Sequence, residues 1–184
     1  MHARNQLVRM LATRSARRGD FTLSSGRRST LYVDARLTTM SPDGLALIGP
    51  LALETIRAAA WAADSVGGLT LGADPVSYAI AYASASTEQP LRSFTVRKEA
   101  KVHGTGQLIE GPFRTGDRVV VIEDVITTGG SAARAVEAVR AAGAQVSGVL
   151  AVVDREEGGR ETLEAAGLPV LALAGAAEIV AAMA

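Results

Sequence analysis

The sequence predicts a single α/β domain in which helices flank a mainly parallel central sheet. Short apolar runs alternate at least five times with segments of helical spacing, and the connections between them are short. The clearest run, Val-Val-Val-Ile at 119–122, is uninterrupted and mostly β-branched, which is typical of a strand buried on both faces of a parallel sheet. The 184 residues and 48% apolar content suffice for one domain with a sizeable core, and we expect it to span residues 1–184.

The N-terminal part is predicted to form a helix followed by two short strands. Three apolar residues at helical spacing indicate the helix, namely Leu7, Met10 and Leu11. We expect this helix to end at Gly19. Alternating apolar positions indicate the strands, namely Phe21, Leu23, Leu31 and Val33. The polar connection between the strands, which contains Ser24 and Arg27, is either a simple hairpin turn or a lid over an anionic ligand.

The middle of the chain contains a further helix and then a strand, loop and helix unit. A helix should begin at Pro42 and continue to about Ala60, because proline is favoured at the first helical position. A strand at 65–68 is followed by a loop of small residues, and a helix is expected at about 76–85. The loop at 69–75 is either a second anion site or a plain turn with a helix cap.

A cationic segment follows the next predicted strand, at 91–96. Its basic side chains are Arg97, Lys98, Lys101 and His103, and a further strand is predicted at 107–110. The segment is either a charged surface hairpin or a lid over an anionic ligand, since little apolar packing would hold it in one state. The remaining predicted elements are a strand at 146–153, a helix at 160–166, a strand at 170–172 and a terminal helix.

The clearest functional signal is the segment from Val119 to Ser131. Glu123 and Asp124 follow the apolar run, and a Thr-Thr-Gly-Gly-Ser loop then leads into a predicted helix at 132–142. Free backbone N–H groups of such a loop at a helix N-terminus form an anion site, while carboxylates bind sugar hydroxyls or hold Mg²⁺ through water. A phosphorylated ribose would bind the loop through its phosphate and the carboxylates through its hydroxyls. The alternative is a tight turn whose Asp and Thr side chains only cap the helix.

The composition and the motifs that are missing exclude several classes. Neither a P-loop nor a dinucleotide-binding glycine motif is present at this loop. Basic and acidic residues balance at 19 each, so no basic field favours nucleic acid. Cysteine is absent, which excludes disulfides and thiolate chemistry and is compatible with a reducing compartment. No secretory signal is visible at the N-terminus, and interruptions by Pro169, Gly175 and Glu178 argue against a membrane span near the C-terminus.

The central motif resembles the signature with which type I phosphoribosyltransferases bind 5-phosphoribosyl 1-pyrophosphate (PRPP). Together with Phe-Thr-Leu-Ser-Ser-Gly-Arg at 21–27 and Arg-Lys-x-x-Lys-x-His-Gly at 97–104, it resembles the orotate phosphoribosyltransferases. The resemblance implies the type I phosphoribosyltransferase fold with a hood formed mainly by residues 1–40, a mobile catalytic loop at about 98–107 and a cytoplasmic homodimer in which residues 97–103 reach the neighbouring site. It also implies Mg²⁺-dependent transfer of ribose 5-phosphate from PRPP to orotate, giving orotidine 5′-monophosphate and pyrophosphate. No nucleic acid or membrane partner is expected.

The resemblance also assigns site residues. The PRPP site would comprise Arg97, Lys98, Lys101, His103, Glu123, Asp124, Val125, Ile126, Thr127, Thr128, Gly129, Gly130 and Ser131. The orotate site would comprise Ser24, Thr127 and Arg155, whose guanidinium suits a carboxylate. The pyrophosphate loop would comprise Thr70, Leu71, Gly72, Ala73 and Asp74. Lys101 and His103 would stabilise the leaving group and, with Asp124, form the catalytic set. The metal would have no direct protein ligand and would be held through PRPP and water near Asp124.

Two departures from the family pattern leave alternatives open. Many relatives have lysine where this chain has Ser24, and a lysine in the pyrophosphate loop where this chain has Leu-Gly-Ala-Asp at 71–74. The basic loop at 97–103 would then compensate, or turnover would be slower. One alternative is a phosphoribosyltransferase for another base, but the segments at 21–27 and 97–104 and Arg155 argue against it. The other alternative is a PRPP-binding regulatory module.

Overall fold

The computed structural model describes residues 2–22, 28–99 and 108–183. Its strands are β1 (Ala16–Thr22), β2 (Arg28–Val33), β3 (Ser65–Leu69), β4 (Arg92–Val96), β5 (Ile109–Glu110), β6 (Arg118–Ile126), β7 (Gln145–Asp154) and β8 (Val170–Gly175). Its helices are α1 (His2–Met10), α2 (Arg36–Thr39), α3 (Pro42–Ala58), α4 (Ala73–Ser84), α5 (Gly130–Ala141), α6 (Gly159–Ala165) and α7 (Ala176–Ala182). A π-helical turn at Leu11–Ser15 joins α1 to β1.

The central sheet has six strands in the order β5-β4-β3-β6-β7-β8. All neighbouring pairs are parallel except β4 and β5. The prediction of a mainly parallel α/β sheet is therefore confirmed. The carboxyl ends of β3, β6 and β7 lie at one edge, which is where open α/β sheets bind ligands.

Alternate side chains of the central strands supply two apolar clusters. Val120 and Ile122 belong to the cluster that includes residues of α1, α3, α4 and α7. Val119 and Val121 belong to the cluster that includes residues of α5 and α6. This division explains why the strand sequence is apolar at every position, since both of its faces are covered. Within the described ranges, no helix combines the length and the apolarity that crossing a bilayer requires.

The N-terminal hairpin corrects one predicted boundary. Antiparallel strands β1 and β2 are present as predicted, but Gly19 does not end the first helix. α1 already ends at Met10, and Gly19 lies inside β1, where the pairing register is irregular between Arg18 and Phe21. The chain becomes extended at Ala16 because that residue pairs with Val33, and both are buried in the core.

Strand β6 is longer than its apolar run predicts. The ladder with β7 continues through Glu123, paired with Ala151, to Ile126, paired with Asp154. The two acids are thus part of the strand instead of following it. This placement holds their backbone rigidly, and the side chains of adjacent strand residues leave opposite faces of the pleat.

Candidate active site

A cleft of about 590 Å³ opens at the carboxyl edge of the sheet. Its walls come from the N-terminal hairpin, the turn between β3 and α4, the end of β6 with the loop that follows it, and Arg155 after β7. Most of the residues that the sequence assigned to substrate binding line it. Those residues are Thr70, Leu71, Gly72, Lys98, Glu123, Asp124, Val125, Thr127, Thr128, Ser131 and Arg155.

The loop between β6 and α5 forms a small cradle within this region. Its cavity of about 140 Å³ is lined by Glu123 and by residues 125–131, which include Ile126, Gly129 and Gly130. Gly129 has φ of +82°, which L side chains rarely adopt, and an added Cβ would lie 2.9 Å from the Gly159 carbonyl oxygen. No described side chain caps α5. The first N–H groups of α5 are therefore available to an anion.

Glu123 is a buried acid, with 6% of its surface exposed. Its Oε2 has no hydrogen-bond partner among the described residues. Burial, and then the neighbouring charge of Asp124, raises the pKa of Glu123 to about 9. A buried carboxyl oxygen without a partner is costly, and a sugar hydroxyl is a donor that would satisfy it.

Asp124 lies half-buried beside Glu123 and accepts a hydrogen bond from the Val125 N–H at 2.9 Å. The turn after β3 packs directly on this carboxylate, because a Cβ added to Gly72 would collide with it. The acid pair and the turn therefore form one continuous wall of the cleft. A side chain at position 72 would therefore force the Asp124 carboxylate to move.

The predicted pyrophosphate loop is shorter than the sequence indicated. Ala73 and Asp74 belong to the first turn of α4, are buried and do not line the cleft. The Asp74 carboxylate instead accepts hydrogen bonds from Thr70 Oγ1 at 2.6 Å and Thr95 Oγ1 at 2.8 Å. Thr70, Leu71 and Gly72 are left facing the cleft, with a cis peptide between Thr70 and Leu71.

Arg155 is anchored by the N-terminal hairpin. Its Nη2 donates to Ser29 Oγ at 2.9 Å, to the Leu31 carbonyl at 2.7 Å and to Glu157 Oε1 at 2.7 Å. Its buried Nε has no partner among the described residues. The guanidinium is thus held in place at the cleft, where Phe21 and Tyr32, with ring centroids 5.4 Å apart, form an aromatic wall.

The cationic segment is only partly placed. Lys98 lines the cleft, and its carbonyl accepts a hydrogen bond from Arg134. Arg97 does not line the cleft and lies 3.5 Å from Glu110 in an ion pair. Ser24, Lys101 and His103 lie outside the described residues.

Several cleft residues were not predicted from the sequence. They are Phe21, Tyr32, Asp34 and Arg36, with Ser29 and Glu157 behind Arg155. Phe21 begins the motif at 21–27, and the end of the strand at Tyr-Val-Asp (32–34), where polar groups follow apolar ones, is the local signal for the other three.

The described residues offer no site that could hold a metal by protein ligands alone, since no cluster of three or more His, Cys, Asp or Glu side chains is found among them. Asp124 can nevertheless hold, through bound water, an ion that takes its other ligands from a substrate. The donor set therefore fits an Mg²⁺ ion that arrives with a phosphorylated ligand.

The mainly parallel sheet, with a cleft at the carboxyl edge of its central strands, is the arrangement that the resemblance to the type I phosphoribosyltransferases implies. A scan of the sequence against protein-family models finds no match. Individual relatives are nevertheless close. The orotate phosphoribosyltransferase of Aquifex aeolicus is 48% identical over 176 residues, covering 94% of this chain and 95% of the relative. The orotate phosphoribosyltransferase of Synechocystis is 47% identical over 171 residues, covering 92% of this chain and 85% of the relative.

The comparison with solved structures finds the same family. The crystal structure of Mycobacterium tuberculosis orotate phosphoribosyltransferase in complex with PRPP superposes with a TM-score of 0.81 at 44% identity, covering 97% of this chain and 99% of that one. The chain belongs to the orotate phosphoribosyltransferase family. It is therefore a pentosyltransferase, and the resemblance predicted from its three motifs is confirmed.

Proposed function

We propose that this chain transfers ribose 5-phosphate from Mg²⁺-bound PRPP to orotate with the residues of the described cleft. The 5′-phosphate would bind the cradle at 127–131, the ribose hydroxyls would bind Glu123 and Asp124, and the pyrophosphate would lie along residues 70–72. One observation supports this most directly: the phosphate cradle and Arg155 face one cavity of about 590 Å³, which suits a sugar phosphate and a base together.

Arg155 is the proposed partner of the orotate carboxylate, with Thr127 and Ser24 as further contacts. Guanidinium binds carboxylate in a planar, charge-assisted geometry, and burial strengthens such bonds. The N-terminal hairpin, as part of the hood proposed for residues 1–40, would place its aromatic pair Phe21 and Tyr32 beside the base. A neutral base would leave the guanidinium without this partner.

The proposed reaction breaks the bond between the ribose C1′ and the pyrophosphate oxygen, whose electrons leave with pyrophosphate. It forms a bond between C1′ and a ring nitrogen of orotate, and the proton of that nitrogen is released to solvent. Positive charge develops on the sugar ring while negative charge builds on the departing pyrophosphate. Asp124 would stabilise the sugar through its hydroxyls, and Lys98, Lys101 and His103, with Arg97 at the base of their loop, would stabilise the leaving group. Mg²⁺ would add positive charge to the pyrophosphate, and no covalent nucleophile is needed.

A homodimer is the proposed working unit. An apolar groove between α3 and α4 has a volume of about 910 Å³ and is lined by Met40, Leu71, Tyr78 and Tyr82, which are 54% to 86% exposed. Leu71 lines both this groove and the cleft. A second copy on the groove would therefore lie beside the active site, as residues 97–103 require if they act in the neighbouring subunit. A cytoplasmic location is proposed on the family resemblance.

The first experiment follows the loss of orotate ultraviolet absorbance after PRPP is added, with and without Mg²⁺. Wild type should consume orotate but not uracil, adenine or hypoxanthine, and chelation of Mg²⁺ should stop the reaction. Lys101→Ala should lower kcat by at least about tenfold, because leaving-group stabilisation acts in the transition state. PRPP binding without consumption of any base would overturn the enzymatic proposal in favour of a PRPP-binding module.

The dimer is tested separately by sedimentation of a variant with Tyr78→Glu and Tyr82→Glu. Two charges in the apolar groove should shift the protein towards monomers. Leu37→Glu is the matched control, because Leu37 is 50% exposed and does not line the groove. If the variant with both tyrosines replaced remains a dimer, the interface lies elsewhere.

A further inference from the structure

Arg36 is a cation on the wall of the cleft with a fixed orientation. Its Nε and Nη2 donate to the two oxygens of Asp34 at 2.8 and 3.0 Å, and its backbone N–H donates to the same carboxylate at 3.2 Å. The Asp34 side chain is 21% exposed and that of Arg36 is 50% exposed, so the more buried member anchors the more exposed one. No described residue accepts a hydrogen bond from Nη1 of Arg36, which therefore remains available to a ligand.

Arg36 lies in the part of the cleft formed by the acid pair and the turn after β3. Asp124 contributes to the raised pKa of Arg36, after the larger effects of the Asp34 hydrogen bonds and charge. Asp124 in turn packs directly against Gly72, as the collision of an added Cβ shows. Arg36 and the exposed turn at 70–72 therefore border the same end of the cavity.

At this end of the described cleft, an anionic ligand such as pyrophosphate requires a cationic side chain. The turn at 70–72 carries none, and the carboxylate of Asp124 contributes negative charge nearby. Arg155 is already held elsewhere, because its Nη2 donates to Ser29 and Leu31 of the hairpin and to Glu157. Lys98 is exposed and has a flexible side chain, whereas a guanidinium fixed by a carboxylate is preorganised for phosphate oxygens.

We propose that Arg36, oriented by Asp34, binds the pyrophosphate group of PRPP from the wall facing Thr70–Gly72 and supplies the fixed positive charge that this turn lacks. The proposal rests on the proposed function and adds a specific residue to it. Asp34 acts as a positioning residue, since it touches Arg36 and not the pyrophosphate. Two variants separate these roles: Arg36→Gln removes the charge, and Asp34→Asn keeps it but loosens its orientation.

The test compares the Kd of PRPP and of inorganic pyrophosphate, by calorimetry with Mg²⁺, and the KM of both substrates. Arg36→Gln should weaken both ligands by at least about tenfold, the usual effect of losing a charge-assisted hydrogen bond, with the KM of orotate changed less than about twofold. Asp34→Asn should have a smaller effect in the same direction. Adding Leu71→Lys to Arg36→Gln should restore part of the PRPP affinity, because Leu71 is 62% exposed and lies on the facing turn.

Arg118→Gln is the control, since Arg118 forms a similar bidentate pair with Asp64 at the other end of β6. It should leave both affinities unchanged. If Arg36→Gln raises the KM of orotate instead, or lowers only the thermal midpoint, the assignment to pyrophosphate is wrong. The same holds if the double variant binds PRPP no better than the single one. Orotate turnover by wild type reports separately on the proposed function.

Discussion

Thr70 Oγ1 donates a hydrogen bond of 2.6 Å to Oδ2 of Asp74, within the turn that faces the cleft. The other carboxylate oxygen accepts from Thr95 Oγ1 at 2.8 Å, on the neighbouring strand β4. Asp74 is 8% exposed, and both bonds are partly shielded from water. A buried carboxylate thereby ties the turn at 70–72 to the rigid sheet, and the turn can present its backbone to a ligand without the entropy cost of ordering a loose loop.

Asp74→Ala should therefore loosen the turn. We expect a loss of about 2 kcal/mol in the free energy of unfolding, because two partly buried hydroxyls lose their charged acceptor, and a KM for PRPP that rises more than the KM for orotate. Denaturant unfolding and steady-state kinetics measure the two effects. Asp74→Asn keeps an acceptor oxygen and should be milder. Equal changes in both KM values would show that Asp74 does not act through the turn.

The sequence was sufficient to predict the central motif because strand, acids, loop and helix follow one another directly between Val119 and Ser131. Backbone geometry alone then brings Glu123 and Asp124 beside the phosphate cradle. The extent of the strand was not predictable from its apolar pattern, which stops at Ile122, because the ladder beyond that point depends on pairing with β7.

The rest of the site depends on contacts between segments that are distant in sequence. Ser29 and Arg155 are 126 residues apart but bonded at 2.9 Å, and only the position of the hairpin over β7 brings them together. Asp74 was assigned to an open loop, yet its carboxylate is buried because Thr95 from another strand binds it. The role of Arg36 was not predicted, because it does not lie in a recognisable sequence motif.

The Arg155 and Glu157 pair should control how strongly orotate is bound. Their side chains are 4% and 17% exposed, so their attraction is little screened. Arg155→Gln should raise the KM of orotate by at least about tenfold and reduce the preference for orotate over uracil. Substrate competition assays measure both quantities.

Glu157→Gln should have the opposite effect on orotate. Without the internal carboxylate, the buried guanidinium would gain more from the orotate carboxylate, so the KM of orotate should fall while the thermal midpoint of the free protein drops. Glu161→Gln, an exposed acid on α6, is the control. A higher KM in Glu157→Gln would mean that Glu157 chiefly positions Arg155.

Gly72→Ala should disrupt the cleft because the new methyl group would overlap the Asp124 carboxylate. We expect a loss of about 1–3 kcal/mol, typical of overpacking, together with a kcat lowered by displacement of Asp124. Gly130→Ala is the matched control for stability, since its Cβ would lie 3.8 Å from Thr128 Oγ1, in ordinary van der Waals contact. Thermal unfolding of both variants distinguishes a steric effect from a general sensitivity of glycine positions.

Glu123 should make the stability of the free protein fall as the pH rises. Its pKa is about 9 in the folded chain against an ordinary value of 4.5, so between these values the folded state keeps a proton that the unfolded state has released. Stability declines wherever the folded state binds more protons, by at most about 1.4 kcal/mol per pH unit for one group. This decline should begin above about pH 4.5 and end near pH 9.

Glu123→Gln removes this titration and leaves the other groups in place. The thermal midpoint of the variant should therefore rise relative to that of wild type as the pH increases from 5 to 9. PRPP should release protons when it binds wild type in this range, because sugar hydroxyls that donate to a carboxylate favour its ionised form. Calorimetry in buffers of different ionisation enthalpy measures that release. Parallel stability profiles for the two proteins, with no proton release, would show that Glu123 is ionised in the free cleft and that burial does not govern its charge.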